Sequence, residues 1–130
     1  MGDVIVLTKR VYKQGDFVEY LGKDKPQSTS RFALVTMYQK DLNTLEICFL
    51  DSYLRIRAHE SECRYTPPQR ITGGLVHFIA HHPHYGECMV FAEVLIRGLL
   101  HLYVKTRTGN QSTPIPITEF TFLYSAVPGP

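Results

Sequence analysis

Nowhere in this 130-residue chain do apolar side chains recur every three to four positions across a twelve-residue window; they alternate instead. LLHLYVKTR (99–107) is the clearest case. Leu100, Leu102 and Val104 fall on one side of an extended chain, and His101, Tyr103, Lys105 and Arg107 on the other. Successive strand side chains point to opposite faces, so this pattern builds a sheet with one dry and one wet face. The expected fold class is all-β. The 8 tyrosines and 7 phenylalanines agree with it, because aromatic and β-branched side chains suit a pleated surface.

Turn residues divide the chain into about eight to ten short strands. At this length they are expected to form one domain, residues 1–130, built as a small, partly open β-barrel or a sandwich that hides its edges. Asp3–Leu7 is the first candidate strand, and Gln14-Gly15-Asp16 reads as a tight turn. Residues 22–31 read as an exposed loop. RFALVTMY (31–38) and TLEICFLDSYLRI (44–56) form a hairpin. In its second strand Leu45, Ile47 and Phe49 share one face, and Thr44, Glu46, Cys48 and Leu50 the other. The break after Asp51 reads as a bulge or corner. Residues 58–74 read as an irregular connection, since Pro67-Pro68 forbids a central strand, with room for a short helical turn.

LVHFIAHH (75–82), the turn PHYG and ECMVFAEVLI (87–96) make a second hairpin. Strict alternation puts Cys88, Val90, Ala92, Val94 and Ile96 on one apolar face. Arg97-Gly98 is a tight turn, 108–116 a loop, and 117–127 the last strand, with Phe120, Phe122 and Tyr124 on one face.

The formal net charge of +2 is spread evenly along the chain, less basic than a dedicated nucleic-acid binder usually is. No run of 18 apolar residues exists, so no spanning helix and no membrane role is expected. The N-terminus lacks a signal-peptide pattern, and Val6 stands where a myristoylation motif needs Ser or Thr. Cys48, Cys63 and Cys88 are an odd set without disulfide-scaffold spacing. Free thiols in an intracellular setting, nuclear or cytoplasmic, are expected.

Three residue sets carry candidate chemistry. Tyr12, Phe17, Tyr20, Tyr38 and Tyr53, with Asp16, could gather into an aromatic cage that holds a methylated ammonium by cation–π attraction. Arg55, Arg57, Arg64 and Arg70, joined by Lys105 and Arg107, could contact an anion or a nucleic acid. His59-x3-Cys63 and His84-x3-Cys88 together offer two imidazoles and two thiolates, ligand types that suit tetrahedral zinc. Against zinc, Cys88 falls on an apolar face, and a chain this rich in core needs no metal to fold. No cofactor is expected. His77, His81 and His101 could serve acid–base chemistry, but Ser52, Ser61 and Cys63 sit in no nucleophile motif, so an enzyme is not favoured.

The run Tyr12-Lys-Gln-Gly-Asp-Phe-Val-Glu-Tyr, a polar loop and Arg31-Phe-Ala-Leu-Val resemble the opening of BAH domains, which are chromatin-associated β-rich interaction modules. The likeness covers residues 12–54. Its Gly-Asp-x-Val element is shared with SH3-like and Tudor-like barrels, and residues beyond 57 depart from the BAH pattern. The resemblance implies a non-enzymatic protein-interaction module recognising a peptide, with a methylated histone segment as the chromatin-derived form. The alternatives are a nucleic-acid-contacting barrel, and a small enzyme or zinc-stabilised domain using the His/Cys cluster. An exposed sheet edge would also permit a homodimer.

Overall fold

The computed structural model describes residues 11–23 and 30–125. The candidate strand Asp3–Leu7 and most of the 22–31 loop lie outside them. The described chain is all-β, with ten strands in two antiparallel sheets of five. The first sheet holds β1 (Phe17–Tyr20), β2 (Phe32–Gln39), β3 (Thr44–Phe49), β4 (Arg55–His59) and β5 (Cys63–Tyr65), in the order β4-β3-β2-β1-β5. The second holds β6 (Phe78–His82), β7 (Gly86–Ile96), β8 (Leu99–Thr106), β9 (Ile115–Pro116) and β10 (Phe122–Ser125), in the order β10-β6-β7-β8-β9. Single 3-10 turns occur at Lys40–Leu42, Glu60–Glu62, Pro68–Arg70 and Ile117–Glu119.

The first sheet curls into a half-barrel and contributes to a separate core cluster on each of its faces. Val18, Tyr20, Ala33, Val35, Leu45, Ile47 and Phe49 fill the inside of the curl. Phe17, Leu34, Cys48 and Leu50 point the other way and pack with Phe78, Ala80, Val90, Leu102 and Val104 of the second sheet. This explains the unbroken apolar run FALV in β2: a strand buried on both faces needs apolar residues at both parities. The expected sorting of Leu45, Ile47 and Phe49 from Cys48 and Leu50 matches the two cores. So does the inward set Leu100, Leu102 and Val104.

Four local expectations are corrected. Residues 44–56 are two antiparallel strands joined by a full reversal, where one strand broken by a bulge or corner is expected from the sequence. The chain reverses at 50–53, where the Phe49 amide donates to the Leu54 carbonyl at 2.8 Å and Tyr53 takes a φ of 60°. The segment 58–74 contains β5, which pairs with β1 through Glu19↔Arg64. The second hairpin starts late: His77 has a φ of 77° and lies before β6, so it shares no strand face with His81. The last strand begins at Phe122, because Ile117–Glu119 forms a 3-10 turn that buries Ile117.

The fifth correction matters most. β7 pairs Val90 with Val104 but Ala92 with Tyr103, so Phe91 is an extra residue. This bulge switches the faces of the strand beyond it. Cys88 and Val90 face the core, whereas Ala92, Val94 and Ile96 stand opposite Tyr103, His101 and Leu99 on the outer side. The single apolar face expected from alternation is therefore split between core and surface.

Candidate functional site

The outer face of the second sheet is the surface on which the chain departs most from a solvated sheet. Strand register places Ile79, Met89 and Lys105 in one row across β6, β7 and β8. His81, Glu87 and Arg107 lie at the next level toward the Pro83–Tyr85 turn. On the other side come Phe91 and Tyr103, with ring centroids 6.0 Å apart, then Val94 opposite His101. An antiparallel sheet with one face on the core ordinarily shows polar residues on the other. Here Met89 is 40% exposed and Ile96 38%, and Ile79, Phe91 and Val94 are half-buried. A depression of about 210 Å³ opens between Ile79, Met89, Lys105, Glu87 and Arg107.

A polar corner borders it. Arg107 donates to Glu87 Oε1 at 2.6 Å, and the Tyr124 hydroxyl donates to Glu87 Oε2 at 3.2 Å. His81 Nε2 lies 3.4 Å from the same Oε2, and its ring tilts against Tyr124 with centroids 6.1 Å apart. The hydrogen bond from Arg107 holds the Glu87 carboxyl below the usual glutamate range, helped by Tyr124 and against partial desolvation. Burial, then the Glu87 carboxylate, pushes the Tyr124 phenol up. A wider recess of about 590 Å³ continues from this corner past His84, Tyr85, Thr108 and Asn110.

The dense histidines hold the turn itself. His82 Nδ1 accepts from the backbone amides of His84 at 3.0 Å and Tyr85 at 3.3 Å. A ring nitrogen that accepts carries no proton, so the proton sits on Nε2, which donates to Glu119 at 3.3 Å. The ring packs beside Tyr85 and Phe120, with centroids 5.0 and 5.4 Å away.

The four candidate zinc ligands are not brought together. Cys63 lies in the half-barrel core, its thiol pushed up to about 12 by burial and by Glu62. Cys88 lies in the core between the sheets, its thiol 3.5 Å from the Ala80 carbonyl oxygen. His59 caps the Glu60–Glu62 turn through Nδ1, which accepts from the Ser61 amide at 3.1 Å, and His84 is exposed at the β6–β7 turn. Among the described residues no group of three or more His, Cys, Asp or Glu is placed to hold a metal ion.

The cage candidates are likewise divided. Tyr12 and Tyr20 are buried inside the half-barrel, with Tyr38 against them and its hydroxyl on Glu60 at 2.9 Å. Phe17 and Tyr53 are on the opposite face, and the Tyr53 hydroxyl donates to the Val76 carbonyl at 2.7 Å. Asp16 is buried and accepts from the Lys13 amide at 3.1 Å, holding the Gly15 turn. These six residues share no single surface.

The cationic candidates spread over both sheets. Arg55 and Arg57 are on β4, at one edge of the first sheet. Arg64 is on β5 at the other edge, ion-paired with Glu19, and Arg70 closes the Pro68–Arg70 turn. Lys105 and Arg107 belong to the outer face of the second sheet. The placement of Ile79, Met89 and Phe91 on that face is not read from the sequence above, although one signal is present. IAHH and CMVF carry apolar residues at both parities without being central in a two-sided layer.

Comparison with protein-family models, with curated proteins and with solved structures returned no match.

Proposed function

We propose that this chain is a non-enzymatic interaction module that binds a protein segment on the outer face of its second sheet. One observation carries the reading: a solvent-facing sheet surface bears Met89, Ile79, Phe91, Tyr103, Val94 and Ile96 where polar residues are the norm. Contiguous apolar surface rimmed by charged groups is the usual mark of a protein contact. Aromatic residues and Met are the residues such contacts favour. The Glu87–Arg107–Tyr124 corner supplies fixed polar groups that would orient a ligand at one end of the apolar strip. Because the candidate cations are scattered over both sheets, a phosphate track has no single surface here, which favours a protein partner over a nucleic acid.

The narrower form, a methylated, chromatin-derived peptide bound in a nuclear or cytoplasmic setting, rests on the BAH-like and Tudor-like run at residues 12–54. The five-stranded meander that closes β5 back onto β1 supports it. A peptide library containing unmodified and lysine-methylated segments tests both levels. Enrichment that disappears with Met89→Asp is expected for the outer face. Enrichment of methylated over unmodified segments, likewise lost with Met89→Asp, is expected for the narrower form. Selection unaffected by Met89→Asp would overturn the site.

A further inference from the structure

The charges on the same face restrict what it can take. The Glu87 carboxylate is its one acidic group in the polar corner, and both oxygens are engaged, Oε1 by Arg107 and Oε2 by Tyr124 with His81 alongside. Glu93, the other acid of β7, stands on the core side, where it accepts from the Leu75 and Val76 amides at 2.5 and 2.9 Å. Lys105 projects from the outer face and forms no ion pair among the described residues, and with Arg107 it forms the β8 rim of the 210 Å³ depression floored by Ile79 and Met89. Two cations against one occupied carboxylate leave the rim of an apolar recess short of negative charge.

Spacing adds a second restriction. Arg107, Lys105 and Tyr103 follow one another at every second residue of one chain, so their levels are about 6.5–7 Å apart. Every second side chain of an extended ligand repeats at the same interval. A ligand strand lying over β7 and β8 with a carboxylate at the Arg107 level therefore sets its side chain two residues on against Met89, at the Lys105 level. The one after that meets Phe91 and Tyr103.

We infer that the outer face recognises an extended peptide of the pattern acidic–x–apolar–x–apolar, its carboxylate held by Lys105 and Arg107 and its apolar side chains seated on Ile79, Met89, Phe91 and Tyr103. This rests on the outer face being the binding surface. The probes are a capped synthetic heptapeptide with Glu, Leu and Leu at alternate positions, the same peptide with Gln for Glu, and one with both Leu replaced by Ser. Titration calorimetry measures their affinities for the whole chain, and amide chemical shifts report where each binds.

The Glu peptide is expected to bind about tenfold more tightly than the Gln peptide, the scale of one charge-assisted hydrogen bond. That preference should vanish in Lys105→Met, an exposed change that keeps the alkyl stem and leaves the fold intact. The Ser peptide should not bind. Equal binding of the Glu and Gln peptides on the outer face would overturn the charge recognition and leave the apolar face standing as a protein contact. Binding with no shifts in β7 and β8, or no binding by any of the three, would overturn both.

Discussion

Glu93 stands directly opposite Leu102 in the β7–β8 ladder, although Leu102 is fully buried and Glu93 carries a carboxyl group. The bulge at Phe91 puts it there. With the extra residue absorbed, Glu93 turns toward the core side, and its carboxylate accepts the backbone amides of Leu75 and Val76 just before β6. Glu93→Ala leaves two partly buried amides without their acceptor and should cost about 1–3 kcal/mol in urea denaturation. Glu93→Gln keeps a carbonyl acceptor and should cost clearly less. Equal losses for the two variants would show that the carboxylate does not tie the loop to the sheet.

The β7–β8 turn is a two-residue connection with both residues in the left-handed region, Arg97 at φ 53° and Gly98 at φ 80°. That conformation matches the twist of the flanking strands and favours Asn-Gly over any other pair. No atom lies within 4 Å of a Cβ placed on Gly98, so replacing it changes backbone strain alone. Gly98→Ala should destabilise by about 1 kcal/mol, and Arg97→Asn should be neutral or stabilising by a few tenths. Thermal melts of the two variants check both signs.

Glu87 links the corner to pH. Its carboxyl lies below the ordinary glutamate value of 4.5, chiefly because Arg107 hydrogen-bonds to it. A depressed folded-state value means the ionised form is favoured by folding. Its contribution is complete above the unfolded value and is lost as pH falls through the folded one. Urea midpoints of the wild type and Glu87→Gln should therefore differ at neutral pH and converge as pH falls below 4.5 and through the lower folded-state value. A gap that stays constant across that range would contradict the Arg107–Glu87 contact.

The three cysteines are buried and in no disulfide, and burial raises the Cys63 thiol to about 12 and moves the Cys88 thiol upward. A thiol held protonated and out of solvent is a poor nucleophile. Alkylation of the native protein at neutral pH should be negligible over the time in which denatured protein reacts at all three positions. Mass spectrometry of the labelled chain checks this, and rapid native labelling of Cys63 or Cys88 would contradict the two cores.

The parts of the fold that could be read from the chain are those where alternation runs without interruption. Leu100, Leu102 and Val104 in β8 and the two opposed sets in β3 were legible because each strand keeps its period of two. Gly15 and Arg97-Gly98 announced their turns chemically. What escaped depends on partners. A bulge such as Phe91 is one extra residue relative to the opposite strand, and nothing in CMVFAEV alone marks which residue is extra. The reversal at 50–53 was hidden because Leu50 is itself core, so the apolar pattern runs into the turn. The candidate cage misled because tyrosines fill cores as readily as pockets. Tyr12 and Tyr53 belong to the two separate cores on opposite sides of the first sheet.

The most direct test of the outer face is an amide chemical-shift map of the isotope-labelled chain against pooled extended peptides, run alongside Met89→Asp. Met89 is exposed, so that change should alter stability by no more than about 0.5 kcal/mol. The expected result is shifts confined to residues 78–82, 86–96 and 99–107, abolished by Met89→Asp. Shifts gathered instead on Tyr38, Tyr53 or the arginines of β4 and β5, with the outer face silent, would contradict the account.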